Sequence, residues 1–282
     1  MSANTFLLEA AYLAAALILF LLGKVFFDVT HRRFSLEEEL IERDNLAMAI
    51  AVGGYFLGLT LAVGGTLKGA SVSLTTDLIN IFLYGIVAIL LLNLSVRVND
   101  WLILHRFSGE TEIVRDKNCG VGMIEAANHV AMGLIIYGII SGEGGGIPAV
   151  MVFWILGQLT LILAARLYGW MSPYDVHDAL EKDNTAVGVA FAGMLVAIGN
   201  VVRFAEQGNF VSWTESLTAY VVVVLSGLVA LPLARLATDR LILAGGRLTH
   251  ELVRQERPNI GAGVIEAVVY VSMSFLIGWC IE

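Results

Sequence analysis

The chain has 282 residues, of which 57% are hydrophobic and 15% charged, against about 25% charged in an ordinary soluble domain. With a mean hydropathy of +0.79 and uncharged runs long enough to cross a bilayer recurring along its length, it reads as an all-α integral membrane protein. These figures exclude a soluble enzyme, a disordered regulator, a disulfide-stapled secreted domain and a nucleic-acid binder.

An ionised group near the bilayer centre costs a few kcal/mol or more, so charges mark where spans end. Eight apolar segments result, at about residues 6–29, 46–67, 77–97, 119–141, 147–168, 185–203, 215–236 and 260–281. The first carries no Lys or Arg before its apolar core, and Lys24 follows that core, the flank order of a span entering from outside rather than of a secretory signal. Fifteen of the 17 Lys and Arg fall in or beside the connections after spans one, three, five and seven. Only Lys68 and Arg203 lie on the other side. The imbalance places those four connections in the cytoplasm and both termini outside. The net charge of −8 gives no sign of a basic partner surface. Cys119 and Cys280 fall at opposite ends of spans, separated by about 30 Å of hydrocarbon, so they are not expected to pair.

Each cytoplasmic connection ends in a polar cluster with an Asn directly before an apolar, small-residue run: Glu42-Arg43-Asp44-Asn45, Arg115-Asp116-Lys117-Asn118, Glu181-Lys182-Asp183-Asn184 and Arg257-Pro258-Asn259. A unit of about 70 residues therefore repeats four times. It comprises a span going in, an amphipathic stretch, the Asn and a span coming back. An Asn at a helix N-cap satisfies one of the four backbone N–H groups that lack partners inside the helix. Asn45, Asn118, Asn184 and Asn259 are thus expected as structural caps, with a ring around an ion entrance as the alternative. All units point the same way, so the repeats are parallel, and no inverted repeat of the kind many carriers use is present.

The returning spans hold 15 glycines and the ingoing spans four. Small residues let membrane helices approach closely, so Gly53, Gly54, Gly58 and Gly193 are expected at helix contacts. The returning spans should form an inner bundle with the ingoing spans around them. Gly142-Glu143-Gly144-Gly145-Gly146 lacks the Lys-Ser or Lys-Thr of a phosphate loop and reads as a turn joining two halves, 1–142 and 143–282.

The stretch Met171-Ser172-Pro173-Tyr174-Asp175, followed by Leu180-Glu181-Lys182-Asp183-Asn184-Thr185-Ala186 and Ala190-Phe191-Ala192-Gly193, resembles the signature of domain of unknown function 350, the YjfL-like bacterial inner-membrane proteins. Residues 147–281 carry the better match, with Asn259-Ile260-Gly261-Ala262-Gly263 similar to the family's second Asn-and-small-residue segment. In the first half Ser35-Leu36-Glu37-Glu38 stands where the Ser-Pro-Tyr-Asp stretch would be, while Asn45-Leu46-Ala47 with Gly53 and Gly54 keeps the rest. The resemblance implies a tandem fusion of two four-span domains, a multi-pass location in the bacterial inner membrane, where the termini that the charge count places outside are periplasmic, and a loose association with membrane-stress and polyamine-related genes. It supplies no activity to transfer.

Two carboxyl groups remain inside spans. Glu125 and Glu266 each lie seven residues after a repeat Asn, in matching contexts, whereas the other two units hold Val52 and Phe191 there. If four units ring an axis, the second and fourth are diagonal and the two Glu face each other across the centre. They would then share a proton, bind a cation or pair with a polar neighbour; the plainer alternative is a protonated Glu bonding two helices together. Asn128 and His129, at i+3 and i+4 from Glu125, share its helix face. Glu125 with His129 falls short of a metal ligand set. His31, His105, His177 and His250 occupy no common register and read as solvated loop residues. Segments 35–42 and 249–256 read as short amphipathic helices at the membrane surface, able to pack there or to dock a cytoplasmic protein. No catalytic motif is present, and neither an enzyme nor a cofactor is expected.

The sequence thus supports a channel-like or transport protein for a proton or small cation, with Glu125, Glu266, His129 and Asn128 as its site. The alternative is a membrane scaffold or stress-response partner that recruits cytoplasmic proteins.

Overall fold

The computed structural model describes residues 3–69, 71–103, 106, 108–243 and 245–281; His105 lies outside them. Among the described residues, eight helices are long and apolar enough to cross a membrane. They are α1 (Ala3–Thr30), α2 (Leu46–Gly65), α3 (Leu74–Leu102), α5 (Cys119–Ser141), α6 (Gly146–Met171), α8 (Thr185–Glu206), α9 (Trp213–Ala237) and α11 (Ile260–Ile281). Short helices α4 (Gly109–Val114), α7 (Val176–Glu181) and α10 (Leu248–Val253) precede α5, α8 and α11, and a π-helical turn over Glu38–Glu42 takes that place before α2. These four elements mark one face of the molecule, termed here the connector face. The helix α3 runs five residues past the expected span end, because Arg97, Asn99 and Asp100 continue the helical turn instead of leaving it.

The returning helices pack side by side in chain order, α2 on α5, α5 on α8 and α8 on α11, with α1, α3, α6 and α9 flanking them. Glycine makes these seams possible. A Cβ on Gly54 would stand 2.2 Å from the Cα of Ala126, one on Gly188 2.4 Å from the Cα of Gly120, and one on Gly193 2.3 Å from the Cα of Ala267. Side chains at those positions would force the backbones apart and forfeit the dispersion contacts that hold membrane helices together. Gly58 abuts the His129 carbonyl in the same way, whereas Gly53 has nothing within 4 Å and faces outward, contrary to the sequence expectation.

The four returning helices form an open row rather than a ring about an axis. A helix within the row spends two small-residue faces, one on each sequence neighbour, and the helices at its ends keep one face uncovered. The share of its most apolar stretch that is buried is accordingly 83% in α8 and 22% in α11.

The repeat Asn residues tie the row together along the connector face. Each accepts a hydrogen bond from the backbone N–H three residues on: Asn45 from Met48, Asn118 from Val121 and Asn184 from Val187, all at 3.1 Å, and Asn259 from Ala262 at 3.2 Å. The amides of the first three then donate onward, and that of Asn259 to Glu251 of its own unit. Asn45 reaches the Ile113 carbonyl in α4 (2.8 Å), Asn118 the Leu180 carbonyl in α7 (2.7 Å) and Asn184 the Leu252 carbonyl in α10 (2.8 Å). One side chain therefore caps its own helix and fastens the next unit. These groups are spent on backbone and on carboxylates of their own connectors, Glu39, Glu112 and Glu251, and encircle no opening. The residue before the Asn adopts a left-handed backbone in the first three units, with φ of 49° at Asp44, 53° at Lys117 and 57° at Asp183. The fourth unit has Pro258, whose ring forbids that conformation.

The turn between α5 and α6 has φ of 90°, 70° and 60° at Gly144, Gly145 and Gly146, which glycine adopts without steric cost. Both cysteines are free, Cys119 half-buried and Cys280 exposed.

Candidate functional site

Glu125 sits seven residues into α5, about 10 Å along the helix from its cap, and is 7% exposed. Its partner is Asp100 near the end of α3, whose carboxyl group lines the same cavity and interacts with it electrostatically. Ionised carboxylates only accept hydrogen bonds, so two of them in contact require a shared proton or a cation between them. One Asp100 oxygen, Oδ1, is buried with no hydrogen-bond partner. Both groups line a cavity of about 110 Å³ that extends past His31 and Phe34 to Glu110 on the connector face.

His129, one turn deeper on α5, lines the same cavity. Its Nδ1–H donates to the Glu125 carbonyl at 2.8 Å, which leaves Nε2 as an acceptor in the neutral ring. Tyr55 holds the ring edge-on with centroids 5.2 Å apart, and the Tyr55 hydroxyl is itself fixed by a 2.7 Å bond to the Gly23 carbonyl. Asn128 is fully buried beside His129 in sequence, and neither atom of its carboxamide has a protein partner. Beyond these residues α5 is apolar over residues 130–136, where Met132, Ile135 and Ile136 are fully buried. The polar path entering from the connector face ends at that layer.

The second half answers the same position differently. Glu266 on α11 is fully buried and accepts a 2.6 Å hydrogen bond from Arg235 Nη1 of α9 and a 3.2 Å bond from the Tyr270 hydroxyl. Arg235 stands 5.5 Å from the ring centre of Tyr168 and 5.9 Å from that of Tyr174, in cation–π range of both. Burial pushes the Tyr174 hydroxyl above the usual tyrosine range. A carboxylate enclosed with its own guanidinium has no need of an outside cation.

Glu125 and Glu266 therefore do not face each other. They lie on α5 and α11 with α8 between, each with a partner from its own half. The expected diagonal pair fails because the units form a row. Sequence reasoning missed Asp100 and Arg235 as site residues, having counted Arg235 as the near end of a connection and left Asp100 beyond the third span; their signal is helical continuity, since no turn residue separates either from its span. His31, expected to be solvated, is half-buried, stacked on Phe27 with centroids 4.2 Å apart, and lines the cavity. His177 contacts the Ile103 carbonyl at 2.8 Å, and His250 lies 3.8 Å from Glu251. Among the described residues no group of three or more His, Cys, Asp or Glu side chains is set to hold a metal ion.

Eight membrane-crossing helices in two four-helix halves, each half with a buried carboxyl group at one register position, define a duplicated multi-pass membrane protein. The profile of the family described as Domain of Unknown Function (DUF350) matches it twice, over residues 1–140 and 143–281, and the chain belongs to that family. It is similar to the UPF0719 transmembrane protein of Aquifex aeolicus (strain VF5), at 23% identity over 266 residues that cover 93% of this chain and 96% of the relative. No solved structure matches it significantly.

Proposed function

We propose that the protein is a proton or small-cation pathway of the bacterial inner membrane, loaded from the cytoplasmic side at the Asp100–Glu125 pair. The observation that carries this reading is two carboxyl groups from neighbouring helices meeting in a cavity that reaches the connector face. Such a pair takes up one positive charge, as a proton or a monovalent cation, and releases it readily because the site is neither sealed nor internally neutralised. His129 Nε2 and the unpartnered Asn128 carboxamide supply the next polar positions inward. Passage further requires the Met132–Ile136 layer to part, which makes that layer the gate. The connector face is assigned to the cytoplasm by its excess of Lys and Arg. Glu266, held by Arg235, anchors the second half and takes no part in transfer, and no catalytic step belongs to this reading.

The test is flux into liposomes under a proton gradient and separately under a potassium gradient. Wild-type protein should raise one of these rates above the lipid leak, and Asp100→Asn and Glu125→Gln should each return it to leak level while folding normally. Wild-type flux at leak level under both gradients overturns the reading.

A further inference from the structure

We propose that the groove where the two halves meet on the connector face holds an anionic phospholipid of the cytoplasmic leaflet, its phosphate on Arg166 and Arg106 and its acyl chains along α6. The groove is a cavity of about 550 Å³ whose walls include Arg106, Arg166, Trp170, Asp175 and Leu163. Its two guanidinium groups come from different halves of the chain. Arg106 is paired with Asp175 at 2.6 Å. Arg166 donates to the Leu102 carbonyl at 3.0 Å and, among the described residues, meets no carboxylate. Asp178 and Glu181 of α7 are exposed outside the groove wall. Of the Arg and Asp charges in the groove, one positive charge is therefore left over, and one phosphodiester matches it. A guanidinium has five N–H donors in a planar fork, so Arg166 keeps donors for phosphate oxygens after its bond to Leu102.

The helix that carries Arg166 fits the rest of a lipid. Ile155, Leu159, Leu163, Arg166 and Trp170 follow one another at intervals of four, four, three and four residues, which sets them on one face of α6. All five are exposed, Leu159 by 57% and Trp170 by 88%. From Ile155 to Leu163 the apolar part of this stripe runs about 12 Å along the helix. Trp170 near the end of α6 and Trp101 near the end of α3 are both exposed on the connector side, and exposed indoles at span ends mark the headgroup level of a bilayer. Arg166 lies one turn inside that level, from where a long basic side chain reaches up to a phosphate. A free phosphate ion would use the guanidinium groups and leave the stripe bare; a lipid uses both. Basic pockets between helices on the cytoplasmic side suit anionic head groups for this reason. The site stands apart from the Asp100–Glu125 pair and does not depend on conduction there.

The test is native mass spectrometry of protein released from micelles that contain equal amounts of phosphatidylglycerol and phosphatidylcholine with the same acyl chains. The unaltered protein should retain phosphatidylglycerol at least fivefold over phosphatidylcholine. Arg166→Gln should bring that ratio close to one. Arg240→Gln, which removes the same charge from an exposed position after α9, should leave it as in the parent. A phosphatidylglycerol with a photoreactive diazirine beside its glycerol locates the site without any substitution: in nanodiscs of the unaltered protein its label should concentrate on residues 159–170. Equal retention of the two lipids by the unaltered protein overturns the proposal. So does a preference that survives Arg166→Gln, or one lost as fully in Arg240→Gln, which would indicate diffuse surface charge. Label spread evenly over the other spans overturns it as well.

Discussion

Arg235 and Glu266 meet at 2.6 Å in the second half, the carboxylate fully buried and the guanidinium flanked by Tyr168 and Tyr174. Removing one member of such a pair leaves an uncompensated charge in a low-dielectric site, whereas replacing both can be close to neutral. Glu266→Gln should therefore destabilise the protein by about 3 kcal/mol or more, read as thermal unfolding in detergent. The double replacement Glu266→Gln, Arg235→Met should recover most of that loss. Equal losses in the single and double variants would show that the ion pair is not what the site depends on.

The first half predicts the opposite behaviour. Asp100 and Glu125 face each other across a cavity with no cation of their own, so Glu125→Gln keeps the shape, removes a charge-bearing group and leaves hydrogen-bonding capacity. Its stability should stay within about 1 kcal/mol of the parent, measured by the same unfolding assay.

Seam glycines and outward glycines should separate cleanly. Gly188→Ala drives a methyl group into the Gly120 backbone, at 2.4 Å, and overpacking of this kind costs about 1–3 kcal/mol. Gly169→Ala on α6 meets nothing within 4 Å and should be neutral or stabilising. A comparison of the two unfolding midpoints checks the prediction.

At Asp44 the backbone is left-handed with φ of 49°, a conformation that costs a side-chain-bearing residue about 1 kcal/mol. Asp44→Gly relieves it, and an increase in unfolding midpoint is the expected readout.

Asp175 caps α7 and accepts a hydrogen bond from Arg106 at 2.6 Å, a contact between the two halves. The Arg106 hydrogen bond holds its carboxyl below the usual carboxylate range. Because the folded-state value is lowered, the stabilisation from this contact is present above the ordinary value of about 3.9 and is lost as pH falls through the lowered value. Arg106→Ala should move the Asp175 titration upward toward the ordinary value, followed by carbon-13 NMR of labelled aspartate.

Much of the architecture was legible in the residues. Charges bracketed eight spans, and the spacing of Asn45, Asn118, Asn184 and Asn259 disclosed the four units. Glycine content separated returning helices from flanking ones. The arrangement of units was not legible, because Gly54, Gly188 and Gly193 say that helices approach closely without saying whether the fourth returns to the first. The site was half visible. Glu125 and Glu266 stood out as acids inside apolar runs, and His129 and Asn128 followed by helical spacing. Their partners hid at the span ends, where Asp100 and Arg235 look like ordinary boundary charges until the helix is seen to continue past them. Only the fold reveals that one carboxyl group meets an acid and the other a base.

That difference sets the decisive measurement: proton and potassium flux at matched amounts of folded protein in three liposome preparations, wild type, Glu125→Gln and the Glu266→Gln, Arg235→Met double variant. The wild type and the double variant should conduct alike, and Glu125→Gln should sit at the lipid leak. Flux through Glu125→Gln equal to the wild type would contradict the account.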